Sequence, residues 1–287
     1  MRSLPIDDQK RLIDKIIIDY PDLRNPLELH KMILQAQEQI RNDPKKGTSL
    51  NWEDKSLIED LQKKVHESNQ PIAKFLSPSI FDSRALIDTC KRIVKALIEK
   101  GVEENLLKRF LDELVSEQMS ILDTVGAALR GDAEYFENHG KRLGTNSVLI
   151  LFIVSALIQP CLEEIARKVD ASFLEKWWQA LCPICSRRPI TARLKARKRY
   201  LICPLCGAEY LADIFLCVNC GNVDPATLRF LSPEGHPEFR VDFCEKCKHY
   251  LKVIDEDKLR RPIPKGLEDI ITIDLDIMAN NAGLKRI

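Results

Sequence analysis

The sequence lacks several things that would assign it a class at once. Its longest apolar run, Val148 to Ile158, stops at Gln159-Pro160, well short of the roughly 18 residues a membrane-spanning helix needs. That length argues against a membrane span and predicts a fully buried central helix. Net charge is almost absent, with 44 Lys and Arg against 43 Asp and Glu, so the whole-chain field argues for neither nucleic acid nor a lipid surface. The N-terminus, Met1 to Arg11, lacks the basic, apolar and small-residue order of a secretory signal, and the cytoplasm is the expected compartment. Catalytic signatures are missing as well. There is no phosphate-binding glycine loop, no His-Glu-x-x-His and no Gly-x-Ser-x-Gly.

Cysteine, by contrast, is plentiful and ordered. Eight of ten cysteines form four Cys-x-x-Cys pairs: Cys182/Cys185, Cys203/Cys206, Cys217/Cys220 and Cys244/Cys247. Seventeen residues separate the first two pairs and 23 the last two, close to the spacing of tetrathiolate sites. Two intervening residues make a turn tight enough for both thiolates to meet one cation, and two such turns supply four ligands. Pairing neighbours in order gives two metal ions, with tetrahedral sulfur suiting zinc or a rubredoxin-type iron. Disulfides do not fit a chain without a secretory signal, and a thioredoxin-like redox motif needs only one such pair in a βαβ setting. Gly207 and Gly221 follow their pairs where a knuckle needs positive φ; Ser186 and Lys248 hold the equivalent places.

The segments between pairs read as strands. Pro189 to Leu194, a basic turn and Arg199 to Ile202 make one ribbon hairpin. Asp213 to Leu216, Leu228 to Leu231, a Pro233-Glu-Gly turn and Phe239 to Phe243 repeat the plan. Cys90, on the stripe Leu86, Ile93, Val94 and Leu97, and Cys161, after the apolar run, read as small core residues. His249, two past Cys247, has no vacant half-site and reads as non-coordinating.

Before residue 176 the periodicity is helical, with Leu57, Ile58, Leu61 and Val65 on one face, and Leu106, Leu107, Phe110, Leu111 and Leu114 on another. Gly101 stands where a helix C-terminus puts it. Asn42 to Asn51 and Ser68 to Ser83 interrupt the helices, the second as a long surface loop, and Gly266 to Leu284 reads as one further amphipathic helix docked on a neighbouring domain. The expected fold is α plus small β: a helical domain over 1–175, a tandem zinc-ribbon module with two tetracysteine metal sites over 176–252, and a tail with its helix over 253–287. Arg187, Arg188, Arg193, Lys195, Arg197, Lys198 and Arg199 crowd the first ribbon without an acid among them, as a solvated hairpin or one that grips phosphate or an acidic protein.

Arg199-Tyr-Leu-Ile-Cys-Pro-Leu-Cys-Gly-Ala-Glu-Tyr, Cys217-Val-Asn-Cys-Gly, and Phe239-Arg-Val-Asp-Phe-Cys-Glu-Lys-Cys-Lys-His-Tyr-Leu-Lys resemble the formate dehydrogenase accessory protein (FdhE) family. Leu267 to Met278 is similar to that family's closing helix. The resemblance implies a cytoplasmic, non-enzymatic maturation factor that contacts the catalytic subunit of a molybdenum- or tungsten-dependent formate dehydrogenase. It carries all eight paired cysteines over as ligands and implies a labile rubredoxin-type iron. Lys248-His249 departs from the glycine common after the last pair. The alternatives are a nucleic-acid-binding double ribbon, disfavoured by near-neutral charge and a motif-free helical half, and a rubredoxin-like electron carrier.

Overall fold

Apolar residues recurring every three or four positions build the first half of the chain. In the computed structural model, which describes residues 5–260 and 262–287, it divides into two units, Met1–Lys64 with Ile72–Ile165 and Val65–Pro71 with Ala166–Ile287. Met1 to Leu4, the start of the N-terminal stretch read above, lie outside the described residues. The ribbons and the tail, which the sequence pattern separates at residue 252, share the second unit.

The helical unit comprises α1 (Ile6–Asp19), α2 (Arg24–Ala36), α3 (Glu38–Asn42), α4 (Lys55–Ser68), α5 (Ser83–Glu99), α6 (Glu104–Val115), α7 (Ile121–Arg130), α8 (Ala133–Leu143) and α9 (Ser147–Lys168). Asp82, Ser120 and Asp132 cap α5, α7 and α8 by accepting backbone N–H bonds. Gly101 adopts φ 84° just past α5, as its sequence place requires. Leu107, Phe110 and Leu114 of α6 are buried, and so are Cys90 and Cys161, whose thiols burial pushes up to about 12. The stretch Ser68 to Ser83 is no simple surface loop. Two 3₁₀ turns, Ile72–Phe75 and Pro78–Ile80, fold it, and Ile72, Ala73 and Phe81 are buried.

The apolar run gives a different helix from the one its length suggests. α9 does not stop at Gln159-Pro160 but continues to Lys168, making it long and apolar enough to cross a membrane. Proline has no N–H for the carbonyl four residues earlier, here Ala156, and an orphaned carbonyl in a core is costly. Gln37, fully buried, supplies the missing donor: its Nε2 lies 2.5 Å from the Ala156 oxygen. Arg41 holds that amide in place through Gln37 Oε1 at 2.8 Å and pairs with Glu163 one turn on. The helix is a core helix over most of its length, with Val148 and Phe152 exposed.

From Ala166 the second unit runs through α10 (Ala171–Glu175) into a sheet. Among the described residues its strands are β1 (Thr191–Lys195), β2 (Lys198–Ile202), β3 (Glu209–Ala212), β4 (Leu228–Leu231), β5 (Phe239–Cys244), β6 (His249–Asp255) and β7 (Lys285–Arg286). The order is β3-β2-β1-β6-β5-β4, with β7 also on β6. Each ribbon is thus a three-stranded antiparallel meander, and parallel pairing of β1 with β6, Thr191 opposite Lys252, fuses the two into one sheet. Asp213 to Leu216, expected as a strand, is a loop.

The tail lies on this sheet as two short helices, α11 (Glu268–Ile271) and α12 (Ile273–Asn281), followed by β7. Leu275, Ala279 and Leu284 pack with Val241 and Tyr250 in one apolar cluster. Charges sit beneath. Lys252, 1% exposed in mid-strand, places Nζ 2.6 Å from Asp269 and 2.8 Å from Asp276, and Tyr250 donates its hydroxyl to Asp276 at 2.6 Å. Arg193 is enclosed by Glu256 and Glu268.

Candidate metal centres

The four Cys-x-x-Cys turns share one backbone design. In each, the residue after the second cysteine donates its N–H to the carbonyl of the first: Ser186 to Cys182, Gly207 to Cys203, Gly221 to Cys217 and Lys248 to Cys244, at 2.8 to 3.1 Å. Closing that turn requires a left-handed residue, and φ is 63°, 66°, 72° and 60° at the four positions. Glycine adopts this freely; Ser186 and Lys248 adopt it at a cost of roughly 1–2 kcal/mol each. The equivalence read from glycine placement therefore holds where glycine is missing.

These turns bring the cysteines together in two groups, Cys182/Cys185/Cys203/Cys206 and Cys217/Cys220/Cys244/Cys247, each able to hold one metal ion. Sulfur–sulfur separations are 3.5 Å for Cys182–Cys206, 3.3 Å for Cys185–Cys203, 3.6 Å for Cys217–Cys247 and 3.8 Å for Cys220–Cys244. A disulfide would need about 2.05 Å. A tetrahedron of sulfurs about 2.3 Å from a central ion has edges of about 3.8 Å, so the donor sets fit a tetrahedral cation. Four protein thiolates would leave no open coordination position, which suits a structural ion and not one that activates water. His249 is outside both groups; its Nδ1 meets the Cys247 carbonyl at 2.8 Å.

Burial separates the two groups. All four cysteines of the first are buried, whereas in the second Cys220 is exposed and Cys247 half-buried. Burial raises the Cys182 and Cys206 thiols well above the ordinary range, while Cys203, though equally buried, is drawn well below it by the neighbouring thiols of Cys182 and Cys185. In the second group burial pushes Cys217 up to about 12. At Cys244 the effect of burial is outweighed by the Cys247 and Lys246 amides and the Asn222 side chain, which bring it down to about 7. A cation among four such sulfurs favours the thiolate form of each and releases their protons.

Further residues support the clusters. The Ile184 and Cys206 amides donate to Cys182 Sγ at 3.4 Å and Cys203 Sγ at 3.5 Å, and Asn222 Nδ2 to Cys244 Sγ at 3.4 Å. Arg188, beside the first knuckle, donates to Asn219 Oδ1 inside the third at 2.8 Å and so ties one cluster to the other. Sequence reasoning passed over Asn219 and Asn222; their place inside and just after a knuckle was the available signal.

The basic hairpin needs correction. Arg193 and Arg199 are 5% and 2% exposed, and Arg199 bonds the Asp213 and Leu216 carbonyls, bracing the loop that leads into Cys217. Lys195 pairs with Glu209 and Glu256. What remains outward is Arg188, Arg197 and Lys198, the last two at the β1–β2 turn.

No family model matches the chain. Among curated proteins it is similar to an FdhE homolog of Aquifex aeolicus, 30% identical over 149 residues, and to one of Stutzerimonas stutzeri, 27% identical over 205. The chain is similar to FdhE proteins. These matches cover 50% and 66% of this chain, which spans about half the length of the Aquifex FdhE homolog and 66% of the Stutzerimonas one. In fold the chain resembles the crystal structure of the FdhE protein from Pseudomonas aeruginosa, with a TM-score of 0.66 and 18% identity over 98% of this chain and 93% of that one. That likeness covers nearly the whole of this chain, so the α plus double-ribbon architecture is a fold the two proteins share.

Proposed function

We propose that the protein is a cytoplasmic accessory factor for formate dehydrogenase, which acts by binding the enzyme's catalytic subunit and carries out no reaction of its own. Similarity to FdhE homologs is the observation that carries this reading. The site chemistry supports it. In this reading Cys182, Cys185, Cys203 and Cys206 hold one ion and Cys217, Cys220, Cys244 and Cys247 a second, zinc or rubredoxin-type iron, and both ions hold a binding surface in shape. The segments 1–175, 176–252 and 253–287 then divide the work, the first and last flanking a metal-braced recognition module.

Deletion of the gene in a host that respires formate tests the proposal: formate dehydrogenase activity should be lost, and the tagged protein should retain the catalytic subunit. Normal activity in the deletion strain would defeat it. A nucleic-acid-binding double ribbon gains little from a hairpin whose Arg193 and Arg199 face inward; tight, salt-sensitive binding to DNA or RNA would revive it.

A further inference from the structure

Beside the second cysteine group the ribbon unit carries a cavity that Cys217 and Cys244 also line. Ile214, Phe215 and Phe230 line it, together with Phe243 and Tyr250. Ile214, Phe215 and Phe230 are 39%, 50% and 62% exposed, so three large apolar side chains are left in water around one concave surface. Ordinary scatter of surface apolar residues does not gather them so.

The same surface ends in an open sheet edge. β4 is the outermost strand on this side. The Glu245 amide donates to the Thr227 carbonyl at 2.9 Å, so Thr227 faces β5, and by the two-residue alternation of an antiparallel ladder so do Arg229 and Leu231. Leu228 and Phe230 therefore direct their peptide groups outward. The Leu228 carbonyl is taken by the Arg229 guanidinium at 3.2 Å, which leaves the Phe230 position as the unpaired rung. An open rung next to apolar pockets is the arrangement by which a sheet accepts a further strand from another protein.

Charge narrows the occupant. Arg199, Arg229 and Arg240 line the cavity; Arg240 pairs with Asp242 at 2.7 Å and Arg229 with Glu245 at 3.7 Å, while Asp242, already held by Arg240, lies 4.0 Å from Arg199. Arg240 lies over the Phe230 ring, 5.3 Å from its centre, and Nε of the buried Arg199 has no acceptor. We propose that this groove binds an extended, apolar peptide segment bearing an acidic side chain, which pairs with the edge of β4 and sets alternate residues into the cavity. The inference rests on the partner-binding reading above and locates its contact. It also gives the second ion a task, because Ile214 and Phe215 stand three and two residues before Cys217, and a metal at that cysteine would fix their positions before the peptide arrives.

The test uses the metal-loaded full chain, with two probes: the intact formate dehydrogenase catalytic subunit of the same organism, and overlapping 15-residue peptides spanning it. The double variant Phe215→Ser/Phe230→Ser should bind both probes at least tenfold more weakly, at unchanged metal content and circular dichroism. The single Phe230→Ser, at an exposed position, serves the same purpose should the double variant lose its fold. Phe230→Pro, which removes the outward N–H, should bind more weakly than Phe230→Ala, and Glu or Asp to Gln changes in the binding peptide should weaken it. Wild-type affinity in the Ser variants would overturn the groove assignment and leave the partner reading standing. A wild-type chain that binds no catalytic subunit would overturn both. Self-association abolished by Phe230→Ser would identify a second copy as the occupant and overturn the peptide assignment.

Discussion

Lys252→Met tests whether the tail is held to the sheet by charge in a dry interior or only by its apolar face. The ammonium is 1% exposed and meets the Asp269 and Asp276 carboxylates and the Asp269 and Thr272 carbonyls. Methionine fills nearly the same volume, so the change deletes the charge without opening a cavity. Removing one partner from a buried ion pair costs about 3–5 kcal/mol. Here the lower end applies, because Arg286 still reaches Asp269 at 2.6 Å and Asp276 at 3.1 Å, and Asp269 is about one-third exposed. About 3 kcal/mol corresponds to roughly a hundredfold increase in local opening. Amide exchange across α12 should accelerate by that factor, while the metal content and the exchange of α5 stay as they were. Exchange in α12 within about threefold of the parent would refute the reasoning, and the tail would then be held by Leu275, Ala279 and Leu284 alone.

Elemental analysis should give two metal ions per chain, and a chelator should remove them in two phases, the faster from the group containing the exposed Cys220; a single phase would contradict the burial difference. Cys203→Ser should release one ion and expose the first ribbon to protease, since a structural zinc site supplies about 10–16 kcal/mol, whereas Cys90→Ser should cost the helical unit only ~1–2 kcal/mol. Equal protease sensitivity of the two variants would tell against it. His30 in α2 is pushed down to about 4 by burial and by the Arg41 guanidinium. The folded unit therefore refuses a proton that the unfolded chain accepts near pH 6.5, so stability complete at neutral pH should decline by up to about 3 kcal/mol between pH 6.5 and 4. His30→Gln should flatten that decline in denaturant titrations followed against pH.

The cysteine spacing made the two cysteine groups legible because a Cys-x-x-Cys turn is a local device, complete within about six residues. Even its left-handed closing residue could be placed at Ser186 and Lys248, which carry no glycine signal. Partners distant in the chain were not legible. Arg193 and Arg199 looked like surface charge because the acids and carbonyls that receive them, Glu256, Glu268, Asp213 and Leu216, belong to other segments. Pro160 read as a helix end because its compensation is Gln37, more than a hundred residues away. β6 escaped notice because a lysine and a histidine interrupt its apolar pattern, yet it is the strand that both ribbons share.

That shared strand sets an order of events as the chain is made. Cys182 and Cys206 are 24 positions apart and Cys217 and Cys247 are 30, so each metal group can assemble from a short stretch soon after synthesis. β1 must wait for β6, because Thr191 finds Lys252 only after both ribbons have been made. Loop closure over longer separations costs more entropy and slows folding. The two clusters are then early, independent nuclei, and the joining of their sheets, with the tail sealed over Lys252, is the late step at which the module becomes one body. If both cysteine groups need their ions to close, a metal supply that lags behind synthesis would stall the chain before that step, with the β1 and β6 edges open to pairing with other chains.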